Sequence, residues 1–298
     1  MASSARRARQ TMTTKFLGSF LAFASLSAAA SRSDMLVSSD WLTQHLTDSK
    51  LVILHVSANR AVYDAGHIPG ARFVALSELV VNRDGIPNEV PAIADLKKVL
   101  EAAGVSDDSR VIIYGDTSVL PATRAYFTLD YLGHGDQAAL LDGGLAKWRG
   151  EGRTLTREAG IAAQGRFTPR PKPDLVVQMD DVKQLSTKAA SSSPEVLLDA
   201  RSAADFHGEK GSHIPGAVNA FWMENQISRE NQTLQSESAL RLLYERLGVT
   251  SDRKVVTYCN SGMQASQSFF TLKYLGYDVR MYDGSMSEWA AKGGPVEK

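Results

Sequence analysis

The stretch Val255-Val256-Thr257-Tyr258-Cys259-Asn260-Ser261-Gly262-Met263-Gln264-Ala265-Ser266 holds the only cysteine of the chain. β-Prone residues run up to Tyr258, and a short turn with one glycine follows the cysteine. From Gln264 to Tyr274 the spacing predicts an amphipathic helix, with Phe269, Leu272 and Leu275 on one side. The cysteine therefore stands where a strand ends and a helix begins. Amide N–H groups of such a turn, and the positive end of the following helix, converge on whatever fills its middle. That environment favours a thiolate and predicts a lowered thiol pKa. A nucleophile able to carry an anionic group is expected; the plain alternative is a buried structural thiol.

Outward from this stretch the chain repeats itself. His67-Ile68-Pro69-Gly70-Ala71 returns as His213-Ile214-Pro215-Gly216-Ala217. Val111-Ile112-Ile113-Tyr114-Gly115 returns as Val255-Val256-Thr257-Tyr258-Cys259. Phe127-Thr128-Leu129-Asp130-Tyr131-Leu132-Gly133 returns as Phe270-Thr271-Leu272-Lys273-Tyr274-Leu275-Gly276. Leu141-Asp142-Gly143-Gly144 and Trp148 return as Tyr282-Asp283-Gly284-Ser285 and Trp289. The offset drifts only from 146 (Gly70 to Gly216) through 144 (Tyr114 to Tyr258) to 141 (Asp142 to Asp283). Ordered blocks at nearly constant spacing mark an internal duplication.

Each half alternates short apolar runs with helical patterns. The runs are 51–56, 72–75, 111–114 and 138–141, then 196–199, 217–220, 254–258 and 279–282. The helices are 94–103 and 123–132, then 237–247 and 264–275. This pattern predicts an α/β class: in each half, a mainly parallel sheet flanked by helices. Ligands on such sheets bind beyond the carboxyl ends of the strands, where Cys259 falls. The predicted domains are 34–150 and 175–298. Residues 151–174, with Gly152, Gly160, Gly165, Pro169, Pro171 and Pro173, predict an exposed connector.

The 298 residues suffice for two ordinary domains. Lys+Arg and Asp+Glu are both 33, so nothing in the charge balance points to nucleic acid. Residues 1–30 differ from the rest. A basic start (Arg6, Arg7, Arg9, Lys15), an apolar run from Phe16 to Leu26 and Ala28-Ala29-Ala30 have the layout of a secretory signal peptide. The run is too short to span a bilayer comfortably, so no stable membrane insertion is expected after its removal. Export to a periplasmic or extracellular space is the expectation, with an organelle transit peptide as the alternative. One cysteine builds no internal disulfide. The histidines show no metal-ligand spacing, and no metal or cofactor is expected.

The loop Cys259-Asn260-Ser261-Gly262-Met263-Gln264 resembles the active loop of the rhodanese-like sulfurtransferases. The paired His-Ile-Pro-Gly-Ala blocks, the Asp-Gly turns and the trailing tryptophans extend that resemblance over the chain from residue 34 on. In the tandem members only the second domain keeps the cysteine, and the first-half counterpart here is Gly115. The resemblance implies that Cys259 takes a sulfane sulfur from a small anionic donor as a persulfide and passes it to a thiophilic acceptor such as cyanide or a thiol. The amides of residues 261–265 would cradle that sulfur. Gly262 allows close backbone approach, with Asn260, Met263 and Gln264 beside it.

The resemblance also frames the choice of donor. Thiosulfate-preferring members carry basic residues after the cysteine; mercaptopyruvate-preferring members carry Gly, then Ser or Thr. Asn260 fits neither pattern, and Ser261 matches the hydroxyl position. Ser261, His67 and Asp64 would form the proton relay of the mercaptopyruvate enzymes. Asp199 and Arg201 match the family's Asp-x-Arg, Asp199 implied to hold the loop and Arg201 to brace the site or face an anion; a structural ion pair is the plain alternative. Asp205 stands before Phe206, where the family carries a second arginine; Lys210 or Arg124 could replace it. A thiosulfate sulfurtransferase is the first expectation, with mercaptopyruvate as the other donor and a non-enzymatic sulfur carrier as a further alternative. A phosphatase is disfavoured, because Ala265 and Ser266 occupy the positions where it needs an arginine. A monomer of two packed domains is expected.

Overall fold

A computed structural model describes Met1 and residues 32–160, 163–187 and 193–298. Apart from Met1, the predicted signal peptide at 1–30 lies outside the described residues. The first domain runs β1 (Leu36–Val37), α1 (Ser39–His45), β2 (Leu51–Ser57), α2 (Arg60–Ala65), β3 (Ala71–Ala75), β4 (Val81–Arg83), β5 (Ile86–Glu89), α3 (Ile93–Ala102), β6 (Arg110–Tyr114), α4 (Leu120–Tyr131), β7 (Ala138–Leu141) and α5 (Gly144–Gly150). The second runs α6 (Met179–Ser186), β8 (Glu195–Asp199), α7 (Ala203–His207), β9 (Val218–Asn219), α8 (Glu237–Glu245), β10 (Lys254–Tyr258), α9 (Met263–Tyr274), β11 (Val279–Met281) and α10 (Ser285–Ala291).

The main sheets have the orders β1-β7-β6-β2-β3 and β11-β10-β8-β9. Every pairing in them is parallel. Parallel strands need helices on both faces, so their residues are apolar throughout: Val111, Ile112, Ile113 and Tyr114 are all buried. β4 and β5 stand apart as an antiparallel hairpin. Its turn residues Asp84 and Gly85 have φ of 53° and 83°, the two successive positive values of a type I′ turn.

The strand–helix alternation expected from the sequence is present. The shorter helices α1, α2, α5, α6, α7 and α10 and the hairpin were not anticipated, because one or two turns carry too little periodicity. α9 also differs from its expected amphipathic form. All its residues from Ala265 to Leu272 are buried, as are those of α4 from Ala122 to Asp130. These two helices pack against each other and join the domains. Phe127 meets Phe269 edge to face at 5.0 Å, and Tyr126 meets Phe270 at 4.9 Å. Such aromatic pairs add about 1 kcal/mol each beyond the area they bury.

The duplication is visible in the contacts. Tyr114 Oη accepts Ile68 N–H, and Tyr258 Oη accepts Ile214 N–H. Each strand-end tyrosine thereby holds the turn of its own His-Ile-Pro-Gly block. His67 stacks on Tyr63 at 3.6 Å, and His213 on Phe206 at 3.7 Å. The connector is less exposed than its composition predicts. Phe167 is buried against His134, Thr156 bridges His67, and Lys172 pairs with Asp130. A few such anchors suffice to lay a Gly- and Pro-rich strap along a domain.

Asp130 on α4 is fully buried and also pairs with Lys273 on α9. Removing its charge leaves Lys273 uncompensated at the seam. Asp130→Asn should cost about 3 kcal/mol in chemical denaturation, and Asp130→Asn with Lys273→Met should recover most of the loss. His55 is buried among Tyr63, Phe73 and Tyr114, with neither ring nitrogen hydrogen-bonded among the described residues. Burial lowers its pKa to about 4 against the opposing pull of Asp116. Stability should be complete above about pH 6.5 and fall as the pH drops towards 4, as followed by urea midpoints. His55→Gln should flatten that profile.

Candidate active site

Cys259 follows β10 directly, and its side chain is 1 % exposed. The chain must then turn within a few residues into α9. Gly262 makes that turn at φ 78°, and a Cβ there would lie 2.6 Å from Asp283 Oδ1. Only glycine satisfies both conditions. The loop backbone is pinned from the second domain's own α10: Met286 N–H donates to Cys259 O and Ser287 N–H to Asn260 O.

The amides of Ala265, Ser261 and Gln264 and the Ser285 hydroxyl lie around the sulfur and favour its charged form. Burial opposes them and is the larger effect, so it pushes the Cys259 thiol up rather than down. The lowered pKa expected from the sequence is thus corrected. A cradle of amides lowers a thiol pKa only when it outweighs the water it replaces.

Ser285 was missed by sequence reasoning. It is one of few non-glycine residues at positive φ, 51°. Its hydroxyl accepts both Cys259 N–H and Gly262 N–H, and bonds to Tyr282 O. The signal was a changed glycine in a repeat: Ser285 stands where the first half has Gly144, at φ 55°. Strained backbone is retained there because the hydroxyl ties both ends of the sulfur loop.

Asp283 and Asn88 were also missed. Asp283 pairs with Arg124 and accepts Val90 N–H at 2.8 Å. Arg124 is fully buried and donates as well to Asn88 O at 2.6 Å. Asn88 Nδ2 donates to Ser261 Oγ at 2.9 Å. Thus α4 and the β4–β5 hairpin of the first domain close over the loop of the second. Val90 and Asp283 also line a cavity of about 410 Å³ at the domain seam, with Glu89, Tyr131, Val177 and Glu288; Cys259 is not part of its lining.

The remaining predicted residues divide. Asn260 is exposed; Ser261, Met263 and Gln264 are half-buried at the loop rim. Gln264 Oε1 is buried and makes no hydrogen bond among the described residues, leaving an acceptor at the rim. Asp199 sits beside Tyr258 in the register of β8 and β10. Its carboxylate binds Arg201 through Nε at 3.0 Å and Nη2 at 2.6 Å, rather than the loop. Arg201 also donates to Ser212 O. Both Arg201 and Arg124 are therefore engaged by carboxylates instead of facing an anion. The expected relay of Ser261, His67 and Asp64 is not assembled. The His67 ring nitrogens face Tyr63 O and Glu158 O, and exposed Asp64 pairs with Arg60. His67 shapes its turn, as does His213. Lys210 is exposed, and Asp205 accepts from the Ser202 hydroxyl at the start of α7.

The first-half counterpart of the site is closed. A Cβ on Gly115 would lie 2.1 Å from Ser118 O. That loop has collapsed into the space a side chain would need.

Comparison with known proteins agrees with this architecture. The model of the Rhodanese-like domain matches residues 38–151 and 179–292. The chain is 36% identical to the sulfur carrier protein TtuD of Thermus thermophilus, over 89% of this chain and 97% of that one. It is 32% identical to a putative thiosulfate sulfurtransferase of Saccharopolyspora erythraea, covering 90% and 97%. Among solved structures it resembles SseA of Escherichia coli, described as a 3-mercaptopyruvate sulfotransferase, with a TM-score of 0.74, 28% identity, and 84% and 98% coverage. The chain belongs to the rhodanese-like sulfurtransferases, in their tandem two-domain form.

Proposed function

We propose that Cys259 carries a sulfane sulfur from a small donor to a thiophilic acceptor as a persulfide. The ionised Cys259 sulfur attacks the outer sulfur of thiosulfate, the donor's S–S bond breaks, and sulfite leaves with the electron pair. A new S–S bond remains on Cys259, with negative charge on its outer sulfur. Cyanide then takes that sulfur, leaving as thiocyanate and returning the thiolate. The observation that carries this reading is the convergence of the Ser261, Gln264 and Ala265 amides on one sulfur. Such preorganised donors stabilise charge that appears during the reaction.

Thiosulfate remains the first donor of this reading, and the Saccharopolyspora relative's name supports it. Mercaptopyruvate is the second, supported by the likeness to SseA and by the Ser261 hydroxyl. Neither Arg201 nor Arg124 is free to meet an anion, so a dianionic donor finds mainly backbone dipoles. Affinity for thiosulfate should therefore be weak, with KM near or above about 1 mM. We also propose a monomer of two packed domains, exported by residues 1–30, whose basic start, apolar run and Ala28-Ala29-Ala30 support that reading. Among the described residues no helix is long and apolar enough to cross a membrane.

Incubation with thiosulfate should add about 32 Da to the intact protein, and cyanide should remove it as thiocyanate with repeated turnover. Cys259→Ser should abolish both. Loading without turnover would mark a carrier instead of an enzyme, and no mass gain from either donor would end the proposal. Because the thiol pKa is raised, the loading rate should climb with pH into the alkaline range. A rate already flat at pH 7 would contradict that direction.

A further inference from the structure

The two domains exchange arms. From the first, the β4–β5 hairpin and the residue after it bring Asn88 onto Ser261 of the second domain's sulfur loop and Val90 onto Asp283 beside that loop. From the second, the loop closed by the Gln226–Leu234 bridge brings Gln232 and Leu234 onto the first domain's closed loop. Val90 N–H donates to Asp283, and Leu234 N–H donates to Asp142. Asn88 to Gln232 and Val90 to Leu234 are both offsets of 144, the same as Gly115 to Cys259.

The two grips differ in kind. Gln232 holds the inactive loop by its backbone: Oε1 accepts Val119 N–H and Nε2 donates to Thr117 O, both at 2.7 Å. Asn88 touches the live loop at a side chain only, the Ser261 hydroxyl. Asn88 itself is fixed. Its carbonyl accepts from buried Arg124, its neighbour Val90 is held by Asp283, and its φ is 61°, which asparagine tolerates better than most residues. The second domain thus presents the Ser261 side chain to a rigid post of the first. With Asn88 donating, Ser261 keeps its own proton for a donor or leaving group.

We propose that Asn88 is a positioning residue of the sulfur site: it latches Ser261, keeps the loop shut over Cys259, and must release before donor or acceptor reaches the sulfur. This rests on Cys259 being the reactive atom. The test reads access to the thiol instead of turnover, so its failure is distinct from failure of the sulfur-transfer reading.

The test is alkylation of Cys259 by iodoacetamide in the full chain without donor, followed by intact mass across a pH series. Asn88→Ala should raise the limiting rate at high pH about fivefold to tenfold, the range of one net hydrogen bond, without moving the midpoint. Asn88→Ala combined with Ser261→Ala should match Asn88→Ala alone, since both remove the same bond. Gln232→Ala, which loosens the reciprocal arm, should leave the rate unchanged. Should Asn88→Ala fail to fold, Asn88→Gly keeps the positive φ without the side chain and decides by the same criteria. An unchanged limiting rate, a shift of midpoint alone, or an equal rise in Gln232→Ala would overturn the proposal.

Discussion

Water cannot stabilise negative charge on a sulfur that is 1 % exposed. Fixed dipoles must do so, and the loop supplies them from Ser261, Gln264 and Ala265. This constraint dictates the rest of the site. The amides converge only if the chain turns sharply after β10, which requires Gly262 at positive φ. The turn keeps its shape only if its ends are tied, which Ser285 does by accepting Cys259 N–H and Gly262 N–H. In the resting site, burial is the larger effect and pushes the Cys259 thiol pKa up. The dipoles matter when charge arrives on the sulfur.

The second domain does not complete this arrangement alone. Arg124 from α4 neutralises Asp283, and Asp283 lies against Gly262. The first domain, with Gly115 where the second has Cys259, is thereby the other wall of the site. Its own loop leaves no room for a side chain at Gly115. The shared α4–α9 core and the buried Asp130–Lys273 pair keep the two walls in register.

Much of this was legible in the sequence. The repeat, the parallel strands and the strand–turn–helix position of Cys259 follow from residue type and spacing. What escaped depends on contacts between distant segments. No local pattern announces that Asn88 would meet Ser261, or that Arg124 would spend its charge on Asp283. His67 misled because a histidine in a repeated block invites a chemical role, whereas stacking on Tyr63 explains it. The thiol pKa was misjudged in sign because local amides are visible in sequence and the depth of burial is not. Ser285 could have been found by asking why one member of a glycine pair had changed.

The central proposal is that the three amides around the Cys259 sulfur also hold a sulfur that it carries, and it is tested most directly by amide proton NMR of the loaded and unloaded protein. The account predicts that the N–H resonances of Ser261, Gln264 and Ala265 move downfield when Cys259 takes up sulfur, because charged acceptors draw stronger hydrogen bonds. They should return when cyanide removes it. If those resonances stay in place while the mass confirms loading, the amides do not hold the sulfur and the account fails.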